Sequence, residues 1–310
     1  MTVRLVGDIG GTNARFALCG PDGTPKDERK LPVREYSGLV EAAQAYLAGR
    51  EVEEAVFAVA APVVGGAADF TNSSWRFTVP EARERLGLRS LTVINDFVAQ
   101  AWAVHGMASA DFHPLKPGVA KPGRPRVVIG PGTGLGVAFL LRDGERPMVL
   151  ASEAGHSSFS PQDERQAEIL AKLRREFGHV STERLLSGPG LMRMANGLAE
   201  LEERKERFGA PPEVSQGAAE GCALCLEAVR MFSAILGATA GDLVLTLLAD
   251  GGVHVTGGLC RNLGPLLDVE AMVQGFTAKG RLAGYLETVP VDQVTRPHSG
   301  LLGAALHRAA

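Results

Sequence analysis

The stretch Leu5-Val6-Gly7-Asp8-Ile9-Gly10-Gly11-Thr12-Asn13-Ala14-Arg15-Phe16-Ala17-Leu18 carries the reading of this chain. A β-rich run enters it, Gly10 and Gly11 permit a turn free of side-chain clashes, and residues 15–18 resume an apolar strand pattern. Strand, tight turn and returning strand are predicted. Such a turn presents successive backbone N–H groups, with the Thr12 hydroxyl beside them, to an anionic oxygen, which suits a phosphate. Asp8 sharpens this. A carboxylate beside a phosphate repels it unless a divalent cation lies between them, so the pattern points to a Mg²⁺-nucleotide. The same residues also fit a plain hairpin whose glycines serve only the turn.

A second run repeats the design: Arg126-Val127-Val128-Ile129-Gly130-Pro131-Gly132-Thr133-Gly134-Leu135-Gly136-Val137-Ala138-Phe139-Leu140. Neither run is a Walker loop, because neither has Gly-Lys-Ser/Thr closing into a helix, and neither fits the dinucleotide fingerprint. Two such hairpins far apart in one chain imply duplicated halves that grip one nucleotide.

Between and beyond them lie Thr71-Asn72-Ser73-Ser74-Trp75, Ile94-Asn95-Asp96-Phe97, Glu153-Ala154-Gly155-His156, residues 183–190 and Thr256-Gly257-Gly258. With the two glycine runs, and in this order, these stretches resemble the bacterial glucokinases of the non-zinc type, within the actin-like ATPase group of sugar kinases. The resemblance covers nearly the whole chain. It implies an α/β fold of two actin-like (ribonuclease H-like) domains with a cleft between them. Residues 1–110 would form the smaller domain, with a helix at 298–310 packing back on it, and 111–297 the larger. It also implies ATP and Mg²⁺ as cofactors, glucose as the acceptor and a homodimer.

A hexose hydroxyl both donates and accepts hydrogen bonds, so its site needs carboxylates and amides. The resemblance puts Asn72, Asn95, Asp96, Glu153, His156 and Glu183 in that role; Ala154 stands where the family usually has glycine, which leaves the spacing of Glu153 and His156 intact. Asp96, where a buried strand yields to a helical pattern, is the candidate general base for the sugar's primary hydroxyl. From the local residues alone it equally fits a helix cap. Gly7, Asp8, Ile9, Gly10, Gly11, Thr12, Gly132, Thr133 and Gly134 would serve the nucleotide phosphates, and Gly257 and Gly258 its adenosine side. Asp8 would place Mg²⁺ through water.

At 310 residues with 45% hydrophobic content the chain has material for a core in each of two domains. Net charge is -3 with pI ≈ 6.2, and Lys and Arg are scattered, so no basic footprint for nucleic acid is present. Cys19, Cys222, Cys225 and Cys260 read as reduced thiols, since Cys222-Ala223-Leu224-Cys225 lies in a helical pattern without a second pair. Residues 231–248 are apolar, but Gly237, Gly241 and Asp242 interrupt them, and a core helix is predicted rather than a membrane span. With strand pattern starting at the first residues, a cytoplasmic protein is expected. Residues 114–125, rich in Pro, Gly and Lys, read as a linker, and the charged run 200–207 as a solvated helix face.

The same fold hosts sugar-sensing repressors, chaperone ATPases and filament proteins. A repressor would need a DNA-binding domain ahead of Gly7, and the others would leave Asn95, Asp96 and the Glu153 to His156 group unexplained. A kinase for another hexose is the nearest alternative, because one hydroxyl's orientation separates the substrates.

Overall fold

The computed structural model describes residues 3–61, 63–64, 67–69, 75–143 and 146–307. The chain divides into two compact units, Met1–Ser109 with Arg296–Ala310, and Ala110–Thr295.

In the first unit, β1 (Arg4–Ile9) is the centre of a five-stranded sheet. It pairs antiparallel with β2 (Asn13–Cys19), which pairs with β3 (Pro25–Pro32); on its other side β4 (Glu54–Val59) and then β8 (Ser90–Asn95) run parallel to it. A strand buried on both faces reads as a nearly continuous apolar run, and β1 does. Alternation separates its faces. Leu5 and Ile9 join Phe16, Phe57 and Tyr46 under α1 (Leu39–Leu47), whereas Val6 joins Ala17, Val56 and Ala58 against α3 (Asp96–Gly106) and α11 (Ser299–Leu306). Asp8 shares the parity of Val6 and so faces α11. A short sheet of β5 (Val63–Val64), β6 (Ala67–Asp69) and β7 (Arg76–Thr78), followed by α2 (Val79–Arg85), completes the unit.

The second unit repeats the plan with one strand more. Its order is β12 (Arg146–Ser152), β11 (Leu135–Asp143), β10 (Arg126–Pro131), β13 (Val253–Val255), β14 (Val291–Val294), β9 (Phe112–Lys116). β10 takes the place of β1, antiparallel to the strand that follows its glycine turn and parallel to β13. The core of this unit lies between the sheet and the helices α4 (Glu164–Phe177), α5 (Gly188–Leu201), α6 (Pro211–Ala219) and α7 (Ala223–Leu247). The helices α8 (Gly258–Leu263), α9 (Val269–Thr277) and α10 (Ala283–Glu287) follow. Residues 231–247 of the apolar segment fall in α7, which has the length and apolarity of a membrane span, yet its faces are packed into this core, chiefly against α9. Burial pushes the Cys225 and Cys260 thiols up to about 12, so they are protonated filler rather than nucleophiles.

Two expectations change. The Pro- and Lys-rich segment is not a free linker: its first residues, 114–116, belong to the edge strand β9, where the buried Lys116 donates to the carbonyls of Glu287 at 2.7 Å and Val289 at 2.9 Å. Lys121 and Arg124 then pair with the buried Asp250 at 2.7 and 2.6 Å. Composition marked this stretch as polar; its partners lie more than a hundred residues away. The charged run after residue 200 is likewise no helix, because α5 closes at Leu201 and the exposed chain that follows makes local pairs such as Arg204 with Glu202 at 2.7 Å.

Candidate active site

In each unit the glycine turn lies at the carboxyl edge of the parallel strands. In the first, the last rung of the β1–β2 hairpin is Ile9 opposite Ala14, and the Gly10 N–H donates to the Asn13 carbonyl at 3.0 Å. Gly11 and the exposed Thr12 form the tip, and among the described residues their N–H groups carry no hydrogen bond. Two consecutive open N–H groups make an anion-binding concavity. Ile9 is fully buried, and Gly7 lies within β1 where a Cβ would stand 2.8 Å from the Phe57 ring, so packing fixes the side-chain size at both positions.

Asp8 is opposite Arg15 across the hairpin, so their side chains share a face. Its carboxylate rests on Gly300 in the first turn of α11, where an added Cβ would lie 2.6 to 2.9 Å from the carboxylate atoms. Burial holds the Asp8 carboxyl above the ordinary carboxylate range; Arg15 and His298 pull it down, and Glu28 pushes it up. His298, in left-handed backbone at φ 52°, places its Nδ1 2.6 Å from Glu28. The Arg15 Nε is buried and makes no hydrogen bond.

Ile9, Val59 and Asn95 stand in one register row across β1, β4 and β8, which sets Asn95 roughly 10 Å from the hairpin by strand spacing. The Asn95 side chain caps α3, accepting from the Phe97 N–H at 2.8 Å; the Asp96 Oδ1 also accepts from that N–H, at 2.9 Å. The cap of α3 is thus supplied by Asn95, and Asp96 is the first residue of the helix. Asn72 lies outside the described residues.

In the second unit the last rung is Pro131 opposite Leu135, and Gly132 donates to the Gly134 carbonyl at 2.8 Å. Among the described residues the Thr133 and Gly134 N–H groups carry no hydrogen bond, the same feature as at Gly11 and Thr12. Beside the turn, the Thr256 N–H donates to the Ile129 carbonyl at 2.8 Å, and Gly257, at φ 92°, passes so close to the Pro131 carbonyl that a side chain would overlap it. Gly258 opens α8 with clear space before it. The Glu183 Oε2 accepts from the Leu135 N–H at 2.9 Å, so this carboxylate adjoins the glycine turn. Glu153 and His156 are exposed, 3.8 Å apart, on a loop whose Gly155 packs against the Leu135 carbonyl.

The sequence offered no pointer to Arg15, His298 or Gly300 as partners of Asp8. Arg15 is recoverable from hairpin register, whereas residues 298–300 have no local signal at all.

The sequence profile of the glucokinase family matches residues 5–310. The chain belongs to the glucokinase family. A glucokinase of Aromatoleum aromaticum is 41% identical over 316 residues, spanning 97% of this chain and 93% of that protein. The crystal structure of a glucokinase from an Antarctic psychrotroph shares 34% identity at a TM-score of 0.88, covering 99% of this chain and 98% of that one. A ROK-family glucokinase from Streptomyces griseus, solved with glucose and AMPPNP, shares the fold at a TM-score of 0.65 and 21% identity, with 98% of each chain covered. The two sheets are thus those of the actin-like sugar kinases, and the activity of the chain is ATP-dependent phosphorylation of glucose.

Proposed function

We propose that the two glycine turns receive the phosphates of ATP and that Asp96 is the general base for the 6-hydroxyl of glucose. The observation that carries this reading is the repeated pair of open N–H groups, Gly11 with Thr12 and Thr133 with Gly134, at the corresponding turn of each sheet. Gly257 and Gly258 serve the adenosine side. Asn95, Glu153, His156 and Glu183, with Asn72, bind the sugar hydroxyls. Phosphoryl transfer asks the protein mainly to align nucleophile and phosphorus and to neutralise charge. Asp96 aligns the hydroxyl and takes its proton as the oxygen bonds to the γ-phosphorus and the bond from that phosphorus to the bridging oxygen breaks, releasing ADP, while the open N–H groups stabilise charge on the phosphoryl oxygens.

Asp8 fits a cation that arrives with the nucleotide. It is a buried carboxylate raised by desolvation, and among the described residues no three His, Cys, Asp or Glu side chains gather into a metal cage. Mg²⁺ is typically held by one or two carboxylates together with substrate phosphates and water, which matches a single acid here. When bound, Mg²⁺ would offset charge on the transferred group; Asp8 would hold it, through water, and Arg15 would limit the negative charge of the face.

A cytoplasmic location and a homodimer are supported by the family resemblance; sedimentation of the purified protein would test the dimer. The test of the whole reading is ADP release with Mg²⁺-ATP across a panel of hexoses. Turnover on glucose above mannose, fructose and N-acetylated amino sugars is expected; equal turnover with all of them, or none with any, overturns it.

A further inference from the structure

Leu135 stands at a junction in the second unit. Its N–H is held by the Glu183 carboxylate, and its carbonyl lies under Gly155, in the loop that carries Glu153 and His156. The segment bearing Glu183 reaches both neighbours. The Gly188 N–H donates to the Gly132 carbonyl at 2.8 Å, and the Thr182 N–H donates to the Ser157 carbonyl at 2.9 Å. The turn at residues 132–134 is thus held at both ends by residues 183–188. Gly134 has no side chain where one would overlap the Glu183 carboxylate, so turn and carboxylate occupy adjoining space.

A carboxylate has two oxygens with about four acceptor sites in all. In Glu183 one oxygen holds the turn, and among the described residues the other accepts no hydrogen bond. We propose that Glu183 is a positioning residue for the phosphate-binding turn as well as a sugar ligand. A hydroxyl donated to its second oxygen fixes the side chain, and the fixed side chain holds the Leu135 N–H and the turn before it. Sugar binding thereby orders the turn for nucleotide, and by reciprocity nucleotide favours sugar. This rests on the reading above of Glu183 as a sugar ligand and of residues 132–134 as a phosphate turn.

The test is AMPPNP affinity by calorimetry, measured without glucose, beside glucose affinity measured without nucleotide. Glu183→Ala removes the acceptor and should weaken AMPPNP binding about tenfold or more, the usual worth of a hydrogen bond to a charged group. In Glu183→Gln the amide carbonyl still accepts from Leu135, so AMPPNP affinity should fall less than about threefold while glucose affinity falls about tenfold. Glu153→Ala, on the loop that lacks this bond, should weaken glucose alone. In the wild-type protein, where no variant has to fold, glucose should slow amide exchange of peptides covering 132–136 by about threefold or more. A folded Glu183→Ala with unchanged AMPPNP affinity, or glucose without effect on that exchange, overturns the proposal. If the wild-type protein phosphorylates glucose and these results still appear, only this inference fails; if it binds neither glucose nor AMPPNP, the functional reading fails first.

Discussion

The turn at Gly10-Gly11-Thr12 and the turn at Gly132-Thr133-Gly134 close equivalent hairpins, and each leaves two adjacent N–H groups open, yet they are supported by different chemistry. Two residues before the first turn stands Asp8, within reach of the fields of Arg15, His298 and Glu28 and resting on the last helix of the chain. At the matching place in the second is Gly130, and the support there is a hydrogen bond from Leu135 to Glu183 and another from Gly188 to Gly132. The first is an electrostatic mount, the second a hydrogen-bonded one. On the function proposed above, one backbone design serves two tasks, placing a cation and joining phosphate to sugar.

The largest effect expected from this division is on the chemical step. Asp96→Asn should keep the fold and glucose affinity while kcat falls by ~10²–10⁴ or more, because the amide preserves shape and removes the base. Glu153→Gln in the other unit should act on the glucose KM instead. Near-normal turnover in Asp96→Asn would erase the contrast.

Stability should also separate the units. His254, in the middle of β13, lies against Phe112 with ring centroids 5.0 Å apart, and neither ring nitrogen is hydrogen-bonded. Burial, with Arg126 nearby, pulls its pKa down to about 3. Below about pH 6.5 the unfolded chain binds a proton that the folded chain refuses, so stability is full above that value and falls as the pH drops toward 3. The loss by pH 4 is on the order of 3 kcal/mol. Denaturant titrations of wild type and His254→Phe at pH 7 and pH 4 should show it, with the variant flatter; parallel curves would discharge His254 from this role.

A smaller effect distinguishes the turns themselves. Gly11→Val and Gly134→Val should each raise the KM for ATP about tenfold, since a side chain there obstructs phosphate or strains the turn. Only Gly134→Val should also weaken glucose, because its Cβ displaces the Glu183 carboxylate. Equal effects on glucose at both positions would mean the turns are not differently supported.

The smallest effect is a gain. The raised Asp8 carboxyl contributes stability when protonated and loses it as pH rises through its folded pKa, so at neutral pH its charge weighs against the fold. Asp8→Asn should raise the melting temperature of the ligand-free protein by roughly 2–4 °C. A lowered melting temperature would place the support of Asp8 in its contacts rather than its charge.

Local pattern was enough for the two hairpins, because glycine, threonine and alternating apolar residues act within a few positions of one another. It was enough for β8 passing into α3 at Asn95, where a strand run meets a polar pair that can cap a helix. It misjudged residues 114–116, whose Pro and Lys look like linker until a distant strand and three carbonyls receive them. Trp75, near the sugar stretch in sequence, turns out to be core, 1% exposed with its Nε1 on the Tyr36 carbonyl at 3.1 Å.

The chain's own residues, read in order, determined which groups can meet a phosphate, a cation and a hydroxyl, since that depends on side-chain chemistry and on turns that close locally. Tertiary structure alone decided how those groups are held. Gly300 beneath Asp8, Leu135 on Glu183 and Gly155 over the Leu135 carbonyl join residues that stand 20 to almost 300 positions apart. Such contacts arise when sheets and helices bury their apolar faces together, and periodicity within any one segment carries no record of which distant backbone will lie against it.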